Sequence, residues 1–248
     1  MGGLEGRTLY SFLLVELITC GAVLSTFELV QALKREGVDA RIVSPHNNRE
    51  LEEYFGITVE RESKGITIAV SPKCEGDYAY VRTRDERWKA HKSKKIVVSK
   101  YLQEWLGEGI IISNGTHERF YDMGLERDID VLICGNDESN KNIQGTIERA
   151  RVQCSVSGTS LLIVWFGRSV SSVQGVESIG SPRLEEISRL YNRAKCFVSA
   201  SKDEEWGRPV AEAQACGVPK VINENGGNRE IEVVPWSQIA KSFIKQIC

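Results

Sequence analysis

Two carboxylates in the last part of the chain have the type and spacing of groups that bind a hydroxylated ligand. Glu204 and Glu212 are separated by seven residues, and the segment 206–209 between them reads Trp-Gly-Arg-Pro. Carboxylates repel phosphate groups, but they accept hydrogen bonds from hydroxyls. Helix N-termini and glycine turns offer free N–H groups to phosphates. A ligand that carries both sugar hydroxyls and phosphates therefore fits a stretch in which these features occur together.

The residues around the two carboxylates predict a strand, a helix and a second strand. The apolar run Ala194–Val198 is typical of a buried strand. Pro209 suits the first position of a helix, which Gly217 ends. Lys220–Ile222 predicts the next strand, and the glycine pair at 226–227 predicts a turn after it. The carboxylates then lie beyond the carboxyl end of a strand, where ligands bind in open α/β sheets.

This stretch resembles the donor-site signature of the retaining GT-B glycosyltransferases of family four, the glycosyl transferases group 1. The signature has two Glu residues separated by seven residues, with Gly-x-Pro between them and Ala-x-Ala-x-Gly-x-Pro after them. This chain has Gly-Arg-Pro at 207–209 and Ala-Gln-Ala-Cys-Gly-Val-Pro at 213–219, followed by the glycine pair. The resemblance is strong over most of residues 96–232 and weaker over residues 11–44.

The resemblance implies a role for each residue of the signature. Glu212 would bind the ribose hydroxyls of a nucleotide sugar, and Glu204 would contact the donor sugar. Lys141 would neutralise the leaving diphosphate as the glycosidic bond breaks, so that Glu204 and Lys141 are the expected catalytic residues. The residues expected to line the sugar and the phosphates are Trp206, Gly207, Arg208, Gly226 and Gly227.

Other parts of the family pattern match less completely. The family has an Arg after the first strand of its C-terminal domain and a Lys five positions later; here Asn136 occupies the Arg position and Lys141 matches the Lys. Ser181 and Pro182 resemble the loop on the base side of the donor. Near the start of the chain, Gly21 is the one residue that matches the glycine loop over the donor phosphates. Half of the positive charge expected at the diphosphate is thus missing.

The predicted fold class is α/β, specifically GT-B, with two Rossmann-like domains whose parallel sheets face a central cleft. A strand at Ser11–Ile18 followed by a helix at Thr26–Arg35 predicts the opening of the first domain. The expected domains are residues 1–107, a shortened acceptor-side domain, and residues 108–232, the sugar-nucleotide domain. Residues 233–248 are expected to form a helix that packs back on the first domain.

Composition restricts the class of protein. The chain has 248 residues and a net charge of −2, which gives no overall attraction to nucleic acid or to an anionic membrane. Its seven cysteines show no metal or disulfide spacing, and they predict reduced thiols in a cytoplasmic protein. The apolar run Leu9–Leu24 contains Glu16, and it is interpreted as a strand and a helix instead of a membrane span.

The run Arg82–Lys100 is locally basic and contains Trp88. One interpretation is a solvated helix face that precedes a strand. The other is a patch for an anionic acceptor, such as a phospholipid head group or a lipid-linked phosphate, which predicts peripheral contact with a membrane. The residues assigned to this acceptor or membrane patch are Arg87, Lys89, Lys92 and Lys94.

The predicted function is that of a retaining hexosyltransferase that moves a sugar from a UDP- or GDP-linked donor to a hydroxyl acceptor, which is lipid-linked in one version of the hypothesis. No cofactor and no essential metal are expected; Asp128 and Asp130 have the spacing of the GT-A metal motif, but they stand where a strand begins. Two alternatives stay open. One is a non-catalytic sugar-nucleotide-binding protein or one subunit of a split transferase, and the other is a nucleic-acid-modifying or nucleic-acid-binding protein.

Overall fold

The chain forms two compact units, which we describe separately. The first unit comprises Met1–Gly115 and Val234–Cys248, and the second comprises Thr116–Val233. The computed structural model describes residues 8–17, 20–139, 141–154, 161–168, 170–199, 201–202, 204–223 and 231–247.

The first unit is built on a sheet of seven strands in the order β3-β2-β1-β4-β5-β6-β7, and every neighbouring pair is parallel. Its strands are β1 (Leu9–Leu13), β2 (Asp39–Val43), β3 (Val59–Glu60), β4 (Ile66–Ala69), β5 (Tyr78–Val81), β6 (Lys94–Val97) and β7 (Ile110–Ile111). Parallel strands need crossover connections, and those after β1, β2, β5 and β6 contain helices. The helices are α1 (Gly21–Arg35), α2 (Arg49–Phe55), α3 (Arg87–Ala90), α4 (Lys100–Leu106) and α8 (Trp236–Ile247).

Local sequence signals explain where the short helices begin and end. The Asn48 side chain accepts a hydrogen bond from the backbone N–H of Leu51 at 3.1 Å and caps α2. The Ser99 hydroxyl caps α4 in the same way, at 3.2 Å from the N–H of Leu102. Gly107 ends α4 with a φ of 84°, a backbone conformation that favours glycine.

Helix α8 belongs to the first unit although it follows the second unit in the chain. It packs against α1, and the fully buried Phe243 places its ring 6.2 Å from that of Tyr10 and 5.9 Å from that of Phe12. The indole Nε1 of Trp236 donates to a carboxylate oxygen of Glu28 on α1 at 2.9 Å. The core of the first unit therefore contains residues from both ends of the chain.

The second unit has five parallel strands in the order β10-β9-β8-β11-β12. Its elements are β8 (Val131–Cys134), α5 (Ile143–Cys154), β9 (Ile163–Phe166), β10 (Glu177–Ile179), α6 (Leu184–Arg193), β11 (Cys196–Val198), α7 (Arg208–Ala215) and β12 (Lys220–Ile222). The chain runs outward from β8 to β10 and then returns to β11 on the other side of β8. The topological switch point lies between β8 and β11, which is where ligands bind in such sheets.

Both faces of the second sheet are buried, and alternate residues of each strand serve opposite faces. Leu132 packs in a cluster with Tyr191 of α6 and Val210 of α7. Its neighbours in β8, Val131 and Ile133, pack in another cluster with Ile147 of α5 and other residues. The three central strands, β8, β9 and β11, are continuously apolar, as is typical of strands buried on both faces.

Several boundaries differ from the sequence predictions. The first unit extends to Gly115 and not to residue 107, because Ile110–Ile111 pairs with β6 as a seventh strand. Strand β1 ends at Leu13, earlier than predicted, and Ile18 lies outside the described residues. Helix α1 starts at Gly21, five residues before the predicted start at Thr26.

Candidate functional site

Most of the predicted donor residues lie at one edge of the second sheet. Each belongs to a loop that leaves the carboxyl end of a parallel strand, or to the first part of the helix that follows. Asn136 and Lys141 follow β8, Ser181 and Pro182 follow β10, and Glu204, Trp206, Gly207, Arg208 and Glu212 follow β11. The loops after β8 and β11 flank the switch point, so the fold brings Lys141 to the same place as the segment with Glu204 and Glu212.

Lys141 and Glu204 meet across the switch point. The ammonium of Lys141 donates a hydrogen bond to Oε1 of Glu204, and the two form an ion pair. The exposed fractions of the side chains are 28% for Lys141 and 16% for Glu204. The pair is therefore sheltered, yet it stays within reach of a ligand at the sheet edge.

Arg208 and Glu212 form a second ion pair, within helix α7. Nε of Arg208 lies 2.5 Å from Oε1 of Glu212, and the side chains are 13% and 8% exposed. This arrangement does not serve the helix, because a cation in the first turn opposes the helix dipole and Arg before Glu is the weaker order of an i,i+4 pair. A cation at a helix N-terminus instead adds to the attraction that the N–H groups exert on an anion.

Cys134 and Tyr191 lie beside these charged groups. Burial first, and then the nearby charge of Glu212, raise the pKa of the Cys134 thiol to about 12; Lys141 acts in the opposite direction, and Glu204 adds a smaller increase. Burial also raises the pKa of Tyr191 well above its usual value, with contributions from Cys134 and Glu212. The end of β8 is therefore surrounded by all of these side chains.

Neither Cys134 nor Tyr191 was predicted from the sequence to belong to the site. The sequence predicts only that the cysteines are reduced thiols, and no role was predicted for Tyr191. The charge of Glu212, on α7, acts on both groups, although they belong to two other elements, β8 and α6. No short motif in the sequence predicts which side chains of separate elements lie near each other.

Asn136 joins the loops that follow β8 and β9. Its Oδ1 accepts a hydrogen bond from the backbone N–H of Arg168 at 2.9 Å, and its Nδ2 donates to Glu138 at 3.0 Å. The loops approach closely, because a Cβ on Gly167 would lie 2.2 Å from the carbonyl oxygen of Gly135. The residue at the family's Arg position therefore has a structural use in this chain.

The remaining predicted donor residues follow β10, belong to the first unit or lie outside the described residues. Ser181 and Pro182 stand between β10 and α6, where Oε2 of Glu186 accepts the N–H of Arg183 at 2.8 Å and caps the helix. Gly226 and Gly227 lie outside the described residues. Gly21 belongs to the first unit, as the first residue of α1.

The basic run contains a buried part and an exposed part. Arg82 and Lys95 are buried, so the solvated-face interpretation does not hold for them. Arg82 donates to the hydroxyl of Thr26 at 2.7 Å, and Lys95 donates to backbone carbonyls that include that of Ser93 at 2.8 Å. A buried cation needs such partners, because burial removes its hydration.

The four residues assigned to the acceptor or membrane patch are all exposed: Arg87, Lys89, Lys92 and Lys94. Two of them have acidic partners, since Arg87 pairs with Asp85 and Lys89 pairs with Glu86 at 3.0 Å. The pairing with Arg87 lowers the pKa of Asp85 below its usual value. The net positive charge of the patch is therefore smaller than a count of its cations suggests.

The aspartates with GT-A spacing are used in ion pairs. Asp128 lies 2.6 Å from Arg193, and Asp130 lies 2.7 Å from Lys195. These cations hold the pKa values of both aspartates below their usual range. Among the residues that the structure describes, no group of three or more His, Cys, Asp and Glu is placed to hold a metal ion.

The described helices also bear on a membrane-spanning interpretation. In the part of the chain that the structure describes, no helix combines the length and the apolar character that crossing a bilayer requires. Within the apolar run Leu9–Leu24, residues 9–13 form β1 and residues 21–24 form the first turn of α1.

Comparison with known proteins identifies one family over part of the chain. The family model of the glycosyl transferases group 1 matches residues 174–234, about a quarter of the chain. This segment contains α6, β11, the loop with Glu204, α7 with Glu212, and β12. No curated protein sequence matches the chain.

Solved structures with low sequence identity share the fold. Anabaena HepE, solved in complex with UDP and glucose, has a TM-score of 0.71 and 15% identity, over 97% of this chain and 90% of the HepE chain. Sucrose-phosphate synthase from Thermosynechococcus elongatus has a TM-score of 0.66 and 15% identity, over 97% of this chain and 90% of its own. WaaG, a glycosyltransferase involved in lipopolysaccharide biosynthesis, has a TM-score of 0.63 and 10% identity, over 96% and 95%.

These likenesses concern the fold, since the identities are too low to carry a substrate from one protein to another. The predicted fold class is confirmed at the level of α/β architecture with two parallel sheets. Each sheet has the doubly wound order of a Rossmann-like unit. The chain has the fold of the GT-B glycosyltransferase structures, and its residues 174–234 match the glycosyl transferases group 1.

Proposed function

We propose that this protein transfers a sugar from a UDP- or GDP-linked nucleotide sugar to a hydroxyl acceptor, with retention of the anomeric configuration. The bond between the anomeric carbon and the diphosphate oxygen breaks, and a bond to the acceptor oxygen forms. The acceptor proton passes to the departing diphosphate or to water. The family match over residues 174–234 and the shared fold support sugar transfer, and the HepE structure was solved with UDP and glucose. Retention rests on the resemblance of the Glu204–Glu212 signature.

The observation that carries the proposal is the gathering of two carboxylates and two cations at the β8–β11 switch point. Lys141 pairs with Glu204 and Arg208 pairs with Glu212, and Cys134 is close enough to Lys141 and both carboxylates for its pKa to respond to them. A binding site for a nucleotide sugar needs charges of both signs, because the diphosphate is anionic whereas the hydroxyls donate hydrogen bonds to carboxylates.

Each charged side chain then has a role in binding or in the transfer. Glu212 accepts hydrogen bonds from the ribose hydroxyls, and Glu204 accepts one from a hydroxyl of the donor sugar. Lys141 stabilises the negative charge that develops on the diphosphate when the glycosidic bond breaks. Arg208, at the N-terminus of α7, supports the same charge or orients Glu212. These roles require neither a metal nor a cofactor.

A thermal-shift screen followed by a turnover assay tests the proposal. A saturating ligand that binds only the folded protein raises its Tm, so UDP, GDP and their sugars are compared in EDTA. We expect at least one nucleotide sugar to raise the Tm and to release its nucleoside diphosphate, with an α-configured product from an α-configured donor by NMR. Lys141→Met should slow this release at least a hundredfold, whereas Glu148→Gln, an exposed change on α5, should leave it unchanged. No Tm rise with any nucleotide or nucleotide sugar would refute the proposal.

A second candidate function is sugar-nucleotide binding without catalysis, alone or as one subunit of a split transferase. The observation that favours it is Asn136, which occupies the Arg position of the family and bonds to Arg168 and Glu138 instead of supplying charge. Nucleotide-sugar binding by the pure chain without release of nucleoside diphosphate, even with a broad panel of hydroxyl acceptors, would support this function over transfer.

A further inference from the structure

The two ion pairs of the site differ in what they connect. Arg208 and Glu212 lie on one helix, four residues apart, so the helix itself keeps the two side chains within reach of each other. Lys141 and Glu204 lie in separate loops, after β8 and after β11, and are joined across the switch point. The pair between the loops can therefore open through side-chain rotation and loop movement, without any change in a helix.

The ion pair between Lys141 and Glu204 also joins two groups that a bound nucleotide sugar would separate. A diphosphate attracts the ammonium of Lys141, and its negative charge repels the carboxylate of Glu204. A sugar hydroxyl does the reverse, because it can donate to Glu204 and satisfy that carboxylate. Both exposed fractions, 28% and 16%, are low enough for water to screen these effects only in part.

We infer that Glu204 competes with the diphosphate for Lys141, and that this competition favours the nucleotide sugar over the nucleoside diphosphate that remains after transfer. The inference rests on the proposed function. While the sugar is attached, its hydroxyl occupies Glu204 and leaves Lys141 to the diphosphate. Once the sugar has moved to the acceptor, Glu204 loses that partner and again attracts Lys141. The hold on the spent nucleotide weakens, which promotes product release.

Calorimetric titration with UDP and GDP tests this competition. Glu204→Gln keeps the shape of the side chain and removes its charge, so it should bind the nucleoside diphosphate about tenfold more tightly than the wild type. Glu148→Gln, which removes an exposed carboxylate from α5, makes the same change in net charge and should bind like the wild type. The preference of the protein for nucleotide sugar over nucleoside diphosphate should fall in Glu204→Gln alone.

A double-variant cycle separates competition for Lys141 from direct repulsion of the phosphates. In a Lys141→Gln background, the gain from Glu204→Gln should shrink to whatever direct repulsion contributes. An undiminished gain in that background would show that Lys141 is not the group in contention. Equal or weaker nucleoside diphosphate binding by Glu204→Gln in a folded protein would overturn the inference outright.

If the Glu204→Gln variant is unstable, a measurement on the wild type tests the same inference. Free monosaccharide at high concentration should tighten the binding of UDP or GDP, because a sugar hydroxyl on Glu204 frees Lys141, and such coupling between ligands is reciprocal. Glucose, galactose, mannose and N-acetylglucosamine are used as probes. The absence of any such coupling, with nucleoside diphosphate binding intact, would contradict the inference while leaving the proposed function standing. If the wild type binds no nucleotide at all, both fall.

Discussion

Glu212 is only 6% exposed, and its ion pair with Arg208 offsets the cost of burying that charge. Removing a buried charge leaves its counter-ion without compensation, and such single deletions are strongly destabilising. Replacement of Glu212 by Ala would remove the charge, the volume of the side chain and both acceptor oxygens together, and would therefore mix lost ligand contacts with a damaged fold. The glutamine variant keeps the size of the side chain and one acceptor oxygen, so it is the sharper probe of the ribose assignment.

We expect Glu212→Gln to weaken binding of UDP or GDP by about 1.5–3 kcal/mol, since hydrogen bonds to a charged acceptor contribute about that much. The loss should disappear for 2′,3′-dideoxynucleoside diphosphates, which lack the hydroxyls that Glu212 is proposed to accept. Titration calorimetry with both nucleotides measures the difference. Equal losses for the two nucleotides, or none, would remove Glu212 from the ribose position.

Three thiols of the second unit should resist alkylation. Burial raises the pKa values of Cys134, Cys196 and Cys216 to about 12 each. Because the unfolded thiols ionise near pH 8.5, the folded state binds these protons more tightly, and the associated stability is full below that pH and declines as pH rises toward 12. At pH 9, iodoacetamide should label the three residues at least a hundredfold more slowly in the folded protein than in urea, by peptide mass spectrometry. Similar rates in both conditions would contradict the burial of these thiols.

At the scale of single residues, the charged side chains of the site were predicted from the sequence, but their ion-pair and hydrogen-bond partners were not. The spacing of Glu204 and Glu212 is a local property and can be read directly. The bond between Lys141 and Glu204 joins two loops that are 63 residues apart in the chain, so it depends on strand order. The use of Asn136 as a bridge between loops also depends on strand order, because β8 and β9 are neighbours in the sheet.

At the scale of elements, predictions were most accurate where a local signal marked both ends. Strand Lys220–Ile222 was predicted with the observed bounds, and the helix after Pro209 was predicted within a residue of its start. The short strands at Val59–Glu60 and Ile110–Ile111 were missed. Two residues give no periodic pattern, and only their parallel neighbours define them as strands.

Most of the stability that helix α8 gives to the first unit should come from one aromatic residue. Phe243 is fully buried against Tyr10 and Phe12, and truncation of such a side chain to Ala costs about 3–5 kcal/mol because it leaves a cavity. In Phe243→Ala, hydrogen exchange should accelerate in α1, β1 and α8 but not in α7. Lys245→Ala, an exposed change on the same helix, is the control. Unchanged protection in α1 would contradict the packing described for α8.

At the scale of the whole molecule, the overall charge of −2 contrasts with the exposed cations of the patch. Each Lys or Arg near an anionic membrane contributes about 1 kcal/mol of attraction within a Debye length. Asp85 and Glu86 already neutralise Arg87 and Lys89 in part, which leaves Lys92 and Lys94 as the main contributors. If the patch contacts an anionic membrane, we therefore expect weak, salt-sensitive association and not stable anchoring.

Liposome co-sedimentation tests this association. We expect weak binding to vesicles that contain anionic lipid and none to neutral vesicles. A variant in which Arg87, Lys89, Lys92 and Lys94 are all changed to Ser should lose most of the binding, while its affinity for UDP or GDP should not change. Sedimentation that is absent with anionic lipid, or equal for both proteins, would return these residues to the role of a solvated surface.

The return of the chain to the first unit has a consequence for biosynthesis. Roughly 120 residues, Thr116–Val233, leave the ribosome between β7 and α8. At about 5–20 residues per second, this takes about 6–24 s, during which α1 and β1 lack the helix that covers them. The second unit is contiguous and can fold during that interval, whereas the first unit must wait with apolar surface exposed. The first unit, whose strands are translated before the second unit, is thus completed after it, and it is the unit for which a nascent-chain chaperone would matter most.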